Sequence, residues 1–282
     1  MAWVMDAGDR RVVLGGTLEG LGLMGFPRVS RMVSAESYPN PRGDGRRFGR
    51  VTRGGQSVSL EVEARASADL SFDEVARSLI AGWRAGPPGQ LGTLTAESGR
   101  SAYGIPLEIE EDQQNRLFGI GRAVLSFEAV DDLWYGPEEE TVIRFAPPVS
   151  GGLRFPARAP FRFKSAPSVR NGAVLVSGDL PVHPVFEVRG PVTNPEIDVV
   201  GVGKLIFKTF LAYDQTLVVD TRAWARWVKR DGAAFPGALS SAGARLSDMV
   251  LSPGSHRVLL RGFDPTNTAE LRVRVAPAFT SF

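Results

Sequence analysis

The chain has 282 residues, of which 43% are hydrophobic and 23% are charged. This composition excludes global disorder, and the length predicts about two domains. The chain contains no cysteine and only two histidines. These counts exclude disulfides, thiolate metal sites and cysteine nucleophiles, and they argue against a histidine-rich metal cluster.

The net charge of +2 conceals two halves of opposite sign. Residues 1–145 carry 16 arginines, no lysine and 21 acidic residues, a net charge of −5, whereas residues 146–282 carry a net charge of +7. Arginine outnumbers lysine 29 to 4, which a GC-rich genome would produce and which rigid guanidinium contacts across interfaces would also favour. Because no basic stripe is interleaved with aromatic residues, nucleic-acid recognition is not predicted.

Neither a signal peptide nor a membrane span is predicted. Residues 1–6 lack a basic segment followed by an apolar one. The apolar, glycine-rich stretch 14–29 is interrupted by Glu19, Pro27 and Arg28 and is too short to cross a bilayer. We therefore expect synthesis in the cytoplasm.

The first half of the sequence predicts strands and one helix. A short strand is predicted at residues 11–14, and the proline-, glycine- and arginine-rich stretch 38–55 is predicted to be a long loop of turns. Residues 57–66 alternate between apolar and polar side chains, which predicts a half-buried strand. Its apolar face comprises Val58, Leu60, Val62 and Ala64.

The clearest helix is predicted over residues 70–83. Ser71 and Glu74 have the spacing of a capping box. One apolar face, which we expect to pack on a sheet, comprises Phe72, Val75, Ala76, Leu79, Ile80 and Trp83. Further strands are predicted at residues 92–96, 105–110, 121–130 and 141–145.

The Pro/Gly-rich residues 146–152 predict a boundary between a domain of residues 1–145 and a domain of residues 146–282. An Asp231-Gly232 pair in the second domain predicts a hairpin turn. About eight short strands without a convincing helix predict a β-sandwich or jelly roll there. The predicted strands are 173–177, 184–188, 196–200, 204–211, 217–220, 223–229, 257–261 and 269–275. The predicted fold class is therefore mainly β, with one α-helix in the N-terminal domain.

No catalytic, cofactor-binding or metal-binding site is predicted from the motifs. Residues 20–25 match G-x-G-x-x-G, but Pro27 and Val29 disfavour the helix that this motif requires. Glu108 and Glu110 would share the solvated face of a strand, which disfavours a glycosidase pair.

The histidines and two of the tryptophans are also weak candidates for a site. His183 and His256 have no acidic or hydroxyl neighbour placed by the sequence. A strand would point Trp224 and Trp227 to opposite faces, so one is expected in the core. The other is left open between packing, an interface contact and stacking on a sugar.

Several segments resemble, in order along the chain, the distal tail proteins of siphophages. Residues 127–135, FEAVDDLWY, resemble the F-x-A-x-D-P-x-Y segment that closes the family's N-terminal domain, although Asp132 replaces the usual proline. Residues 251–256 are similar to its L-x-P-G-x-N turn, with His256 at the asparagine position. Further similar segments are 38–45, for the arginine- and glycine-rich loop, 151–156, 171–172 and 184–195, for the start of the C-terminal domain, and 271–275, for the final strand.

The resemblance implies a non-enzymatic structural protein of the virion, located at the tail tip and made in the host cytoplasm. Members of the family form a six-fold ring that joins the tail tube to the tail tip or baseplate. The implied partners are further copies of the chain, the tail tube protein and a tail-tip hub protein. DNA would pass through the lumen without sequence recognition, and neither a cofactor nor membrane insertion is implied. The resemblance implies that the N-terminal domain is a β-sandwich-like fold with one α-helix that builds the ring. It implies that the C-terminal domain is a galectin-like or jelly-roll β-sandwich.

Two other functions stay open from the sequence. One is a carbohydrate-binding tail module that attaches to host cell-wall glycans, and the other is the equivalent hub of a gene-transfer particle. For ring assembly, the predicted subunit contacts are the loop 42–53 and the stretch 154–164, with solvated loops as the alternative. The candidate residues are Arg42, Arg46, Arg47, Arg50, Arg53, Arg154, Arg158 and Arg162.

Overall fold

A computed structural model of the chain describes residues 2–15, 20–66, 70–84, 86–112, 118–144, 172–264 and 266–282. Within these ranges the chain is mainly β with one α-helix, which confirms the predicted fold class. No helix in these ranges is long and apolar enough to cross a membrane. The chain forms two compact units, Met1–Pro137 with Phe279–Phe282, and Glu138–Ala278.

The division between the units differs from the boundary expected at residues 145/146. The strand at Glu139–Arg144 belongs to the second unit because it pairs along Glu270–Val275, and its Ile143 is buried there. The Pro/Gly-rich residues 146–152 lie outside the described residues. A turn-rich composition predicts a break between elements, but it does not specify the sheet to which the preceding strand belongs.

The first unit contains an antiparallel sheet and one helix. The elements are β1 (Trp3–Ala7), β2 (Arg10–Leu14), β3 (Leu21–Leu23), β4 (Arg28–Pro39), β5 (Arg46–Arg65), α1 (Phe72–Gly82), β6 (Gly92–Thr95), β7 (Ser101–Asp112), β8 (Ile120–Ala129) and β9 (Trp134–Tyr135). The order of the sheet is β2-β1-β6-β7-β8-β5-β3, with β4 added to β5 and β9 to β7.

The core of the first unit lies between α1 and this sheet. The predicted apolar face of β5, from Val58 to Ala64, is buried and lies opposite residues of β8, with Leu60 facing Leu125. The helix contributes Val75 and Leu79 to the same core. Its predicted capping box is present, because the backbone N–H of Ser71 donates to a carboxylate oxygen of Glu74 at 2.8 Å.

The second unit contains two antiparallel sheets. The strands are β10 (Glu139–Arg144), β11 (Gly172–Val176), β12 (Val185–Arg189), β13 (Val192–Val199), β14 (Gly203–Ile206), β15 (Phe210–Leu211), β16 (Thr216–Asp220), β17 (Trp227–Arg230), β18 (Ala233–Ala234), β19 (Gly254–Phe263) and β20 (Glu270–Val275). The orders of the two sheets are β10-β20-β12-β16-β17-β18 and β11-β19-β13-β14, with β15 added to β13. The last strand of the chain, β21, spans Ala278–Phe279.

Local sequence signals set the turns of the second unit. The predicted Asp231-Gly232 turn joins β17 to β18, and both residues have the positive φ angles, 49° and 82°, that a two-residue hairpin of this kind requires. The buried carboxylate of Asp264 accepts hydrogen bonds from the backbone N–H groups of Thr266, Thr268 and Ala269. These bonds fix the turn between β19 and β20. Burial raises the pKa of Asp264, but the hydrogen bonds from the hydroxyl of Thr266 and from these backbone groups together lower it below its ordinary value.

The prediction of a long loop at residues 38–55 is wrong for most of its length. Residues 46–55 belong to β5, which pairs with β4 as far out as Pro39 opposite Arg46. The glycines of this stretch lie within the strand, where they accommodate close neighbours, instead of terminating it. A Cβ on Gly54, for example, would lie 3.3 Å from the Cβ of Met32.

Candidate assembly surface

The outer halves of β4 and β5 form a two-stranded ribbon that we call the arm, residues 31–53. Apart from Asn40, every residue of the arm is exposed. Among the described residues, this part of each strand pairs only with the other, whereas residues 57–65 of β5 also pair with β8. The arm is therefore an extension of the sheet beyond its core.

A short turn closes the tip of the arm. The backbone N–H of Asn40 donates to the carbonyl oxygen of Gly45 at 3.0 Å. Gly45 has a φ angle of 102°, in the region that glycine adopts most readily. The loop predicted for residues 38–55 thus shrinks to about the six residues that join β4 to β5.

Pairing across the arm determines which side chains share a face. The register shifts once between Ala35 and Ser37 and once between Arg31 and Val33, and at both places β5 contributes the extra residue. Tyr38 and Glu36 lie on one face, where the tyrosine hydroxyl donates to the carboxylate at 3.3 Å. The other face of the arm continues the side of β4 that carries Val29, which packs against the core.

This second face of the arm carries exposed apolar side chains between arginines. Val33, Val51 and Phe48 lie on it, with 61%, 57% and 70% of their surface exposed. A two-stranded ribbon is marginally stable in water without a further packing partner. Contiguous exposed apolar side chains rimmed by polar ones commonly mark a protein contact surface.

The arm is also strongly basic. It carries six arginines and two acidic residues, a net charge of +4. Arg31 donates to the carbonyl oxygen of Thr280, and Arg53 lies 3.6 Å from the carboxylate of Asp132. These two arginines therefore attach the inner end of the arm to the rest of the first unit. The other four, Arg42, Arg46, Arg47 and Arg50, are exposed along its outer part.

A buried glutamine anchors the base of the arm. Gln56 is 0% exposed, and its backbone N–H donates to the carbonyl oxygen of Asp131 at 3.2 Å. Its side-chain amide donates to the carbonyl oxygen of Leu133, also at 3.2 Å. Both bonds hold β5 to the turn between β8 and β9 where the arm leaves the core.

The carboxylate of Asp131 orders the same turn. It accepts hydrogen bonds from the backbone N–H of Leu133 at 3.2 Å and from the hydroxyl of Tyr135 at 2.5 Å. Burial raises the pKa of Asp131, and the hydrogen bond from Tyr135 opposes this rise. The base of the arm is thus attached through a half-buried polar network.

Gly55 lies at the base of the arm, where no larger residue fits between β5 and β8. A Cβ at this position would overlap the backbone carbonyl oxygen of Ala129. The strand therefore reaches the end of β8 with its backbone in direct contact, and beyond this point it continues only as part of the arm.

The structure brings together five of the eight arginines predicted at subunit contacts. Arg42, Arg46, Arg47, Arg50 and Arg53 all belong to the arm or its tip. The other three, Arg154, Arg158 and Arg162, lie outside the described residues. Their role in subunit contacts stays a prediction.

The weaker candidates for a chemical site lie in ordinary structural surroundings. A ring nitrogen of His183 lies 3.2 Å from the carbonyl oxygen of Met249, and burial lowers the pKa of this histidine. His256 makes a similar contact with the carbonyl oxygen of Ser252 at 2.6 Å. The ammonium group of Lys229 lies 4.2 Å from the ring centre of Trp227, so a cation occupies one face of that ring. The described residues contain no group of three acidic or histidine side chains that could hold a metal ion.

Sequence reasoning missed the apolar face of the arm and its anchor. Val33, Phe48 and Val51 are spaced irregularly because each register shift interrupts the alternation. Gln56 resembles any surface glutamine in the sequence, and only the structure shows that it is buried. The clearest available signal was Val51-Thr52-Arg53, a short β-favouring stretch inside the supposed loop.

Comparison with known proteins identifies the fold. No protein-family model and no curated protein matches the chain. The crystal structure of the SPP1 Dit protein (gp 19.1), described as a paradigm of the hub adsorption apparatus in phages that infect Gram-positive bacteria, is similar with a TM-score of 0.57 and 12% identity. That similarity covers 99% of this chain and 100% of the SPP1 protein.

The phage P2 baseplate provides a further similar structure. In its activated conformation with calcium, and again with strontium, it matches with a TM-score of 0.53 and 11% identity over 97% of both chains. The similarity to both phages extends over nearly the whole length of the chain. The chain therefore has the fold of phage hub and baseplate proteins.

Proposed function

We propose that this chain is a structural distal tail protein of a long-tailed phage, forming a ring that joins the tail tube to the tail tip or baseplate. The near-complete match in both directions to a phage hub protein is the observation that carries the proposal. A match over one unit alone would fit any protein that shares that unit. Here the similarity extends over both units in the same chain.

The arm supports the assembly role. Its apolar face and its outer arginines are exposed on the chain alone, and a second protein surface would cover them. Contacts between different surfaces of identical copies form a ring when the rotation closes. We infer that the arm supplies one of the two surfaces of such a contact, with Arg42, Arg46, Arg47 and Arg50 at its rim.

The remaining parts of the proposal follow from the same role. The ring would contain six copies, bind the tail tube protein on one side and a tail-tip hub protein on the other, and let DNA pass through its lumen without recognition of sequence. The protein would act without catalysis or a cofactor, in the virion. The second unit would be a galectin-like domain available to other tip proteins.

Electron microscopy of the purified protein tests the proposal directly. We expect negatively stained particles to show rings with a central hole, and light scattering coupled to size exclusion to give a mass of about six chains. A protein that stays monomeric across the micromolar range, alone and when mixed with the tail tube protein of the same phage, would contradict the proposal.

A further inference from the structure

A cavity of about 310 Å³ opens between α1 and the sheet of the first unit. Phe72, Ala76 and Ile80 of the helix and Ile109 of β7 give it an apolar wall. Gly121 lets the helix lie close to the strand, because a Cβ at that position would lie 2.8 Å from the ring of Phe72. The cavity therefore offers space for an apolar side chain from outside.

Carboxylates surround this cavity. Asp73, Glu111 and Asp112 line it, together with Arg77 and Arg122. Glu108 and Glu110, on the same stretch of β7, are exposed and alternate with Ile109, so they lie on the outer side of this strand and add to its negative charge. Beyond Gly104, β7 pairs only with β8 in the described part of the chain, so its other edge is open there. An apolar pocket thus lies beside an open, acidic strand edge.

The arm has the complementary properties. Phe48 is its most exposed large apolar side chain, and Arg46, Arg47 and Arg50 lie within two residues of it. The rest of the first unit carries nine arginines and sixteen acidic residues, a net charge of −7, against +4 for the arm. The first unit therefore contains two surfaces of opposite charge, which favours pairing between copies.

The arm cannot reach the cavity of its own chain while β5 remains one strand. Ala64 lines the cavity, and Phe48 lies 16 residues away along the same strand, which corresponds to roughly 50 Å at 3.3 Å per residue. The arm also leaves the sheet at the end of β8 opposite to Gly121. The arm can therefore enter this cavity only on another copy of the chain.

We propose that the arm of one copy docks on the next, with Phe48 in the cavity beside α1 and the arm's arginines against the acidic end of β7. This inference rests on the proposed function, because it identifies the two surfaces through which the ring would close. The surfaces differ and do not overlap, so each copy can donate its arm to one neighbour and accept an arm from the other.

Cysteine cross-linking tests this contact in a chain that has no cysteine of its own. Two forms of different size are co-expressed, one carrying Phe48→Cys and the other Ala76→Cys, and the purified rings are treated with a short bis-maleimide. We expect a cross-linked heterodimer on a denaturing gel. The matched control combines Phe48→Cys with Arg257→Cys, an exposed position in the second unit, and should give no such band.

The outcomes separate the inference from the function on which it rests. Rings that form normally but give no more heterodimer than the control would overturn the docking contact and leave the ring intact. In that case the arm binds a different surface or a different tail protein. A chain that forms no ring overturns the proposed function, and this inference with it.

A charge exchange provides a second readout. Arg46→Glu with Arg47→Glu should raise the concentration needed for assembly at least tenfold, and adding Glu108→Arg with Glu110→Arg should restore most of the loss. The control, Lys208→Glu with Arg257→Glu, makes the same change in charge at exposed positions of the second unit and should leave assembly unchanged. Equal losses in both pairs, or no rescue, would contradict the proposed contact.

Discussion

The two halves of β5 belong to one strand but differ in the interactions that stabilise them. Residues 57–65 pair with neighbours on both sides and bury Val58, Leu60 and Val62 completely or nearly so. Residues 46–53 pair on one side only in the described part of the chain, and all of them are exposed. The inner half is held by the core of the unit, whereas the outer half is held by its hydrogen bonds to β4 and by the anchors at its base.

This difference teaches that continuous strand geometry is not evidence of uniform stability. Hydrogen bonds between strands contribute modestly in water, because the unfolded chain makes similar bonds to solvent. Burial of apolar side chains supplies most of the favourable free energy of folding. We therefore infer that packing within the unit stabilises the inner half of β5 and that contacts made on assembly stabilise the outer half.

The largest expected difference in stability lies between two single variants, each of which truncates one side chain in a different half of β5. Leu60→Ala removes a fully buried side chain and should lower the free energy of unfolding by about 2–5 kcal/mol. Phe48→Ala removes an exposed one and should change it by less than about 0.5 kcal/mol. Urea denaturation at a concentration where the chain is monomeric measures both values.

Assembly should reverse the order of these two variants. Phe48→Ala should weaken ring formation, while Leu60→Ala should assemble wherever it remains folded. Similar losses of monomer stability in both variants would mean that the arm packs on its own unit, and the contrast drawn between the two halves of β5 would be wrong.

The glycines of β5 should show a smaller contrast of the same kind. Gly55→Ala places a methyl group against the backbone of Ala129, so the strand must shift, at a cost of about 1–3 kcal/mol. A Cβ at Gly49, in the arm, would lie 3.0 Å from the carboxylate of Glu36 and 3.2 Å from the ring of Tyr38, and both exposed side chains can move away. The effect of Gly49→Ala should be close to zero.

Thermal unfolding of the two alanine variants at equal concentration measures this contrast. The midpoint should fall for Gly55→Ala and stay within error for Gly49→Ala. A lower midpoint for both variants would show that the arm is packed as tightly as its base, contrary to what the exposure of the arm indicates.

Sequence patterns predicted the inner half of β5 and the helix because each has a clear period. Val58 to Ala64 alternate at period two, and the apolar side chains of α1 recur at helical spacing after a capping box. The Asp231-Gly232 turn was equally predictable from the sequence, because few other residue types readily adopt the positive φ angles that it requires. In all three cases the information lies within a few neighbouring residues.

The outer half of β5 could not be predicted in the same way. Its glycines and arginines resemble a loop, and the two register shifts erase the alternation that would reveal a strand. The basic residues were nevertheless identified as contact candidates, because an arginine cluster is visible without the fold. The cavity beside α1 depends on Gly121, Phe72 and Ile109 meeting across three elements, which no local pattern encodes.

The smallest expected effect concerns pH and the anchor that joins the two halves. Burial raises the pKa of Asp131 in the folded chain above its value in the unfolded chain. Between these two pKa values the folded state binds more protons than the unfolded state, so this group makes folding less favourable as the pH rises through that window. Asp131→Asn removes the titration and keeps a side chain of similar shape.

The variant and the natural chain should therefore differ most in their pH profiles. From pH 4 to pH 7, the free energy of unfolding of Asp131→Asn, measured by urea denaturation, should rise relative to that of the natural chain. This change should be smaller than the differences expected between the two truncation variants and between the two glycine variants. Asp179→Asn, at an exposed position of the second unit, is the matched control and should show no such trend. A constant offset between Asp131→Asn and the natural chain would mean that Asp131 keeps its charge throughout this range, because its hydrogen bonds from Tyr135 and Leu133 then outweigh its burial. In that case the turn at the base would hold the arm with the same strength at every pH tested.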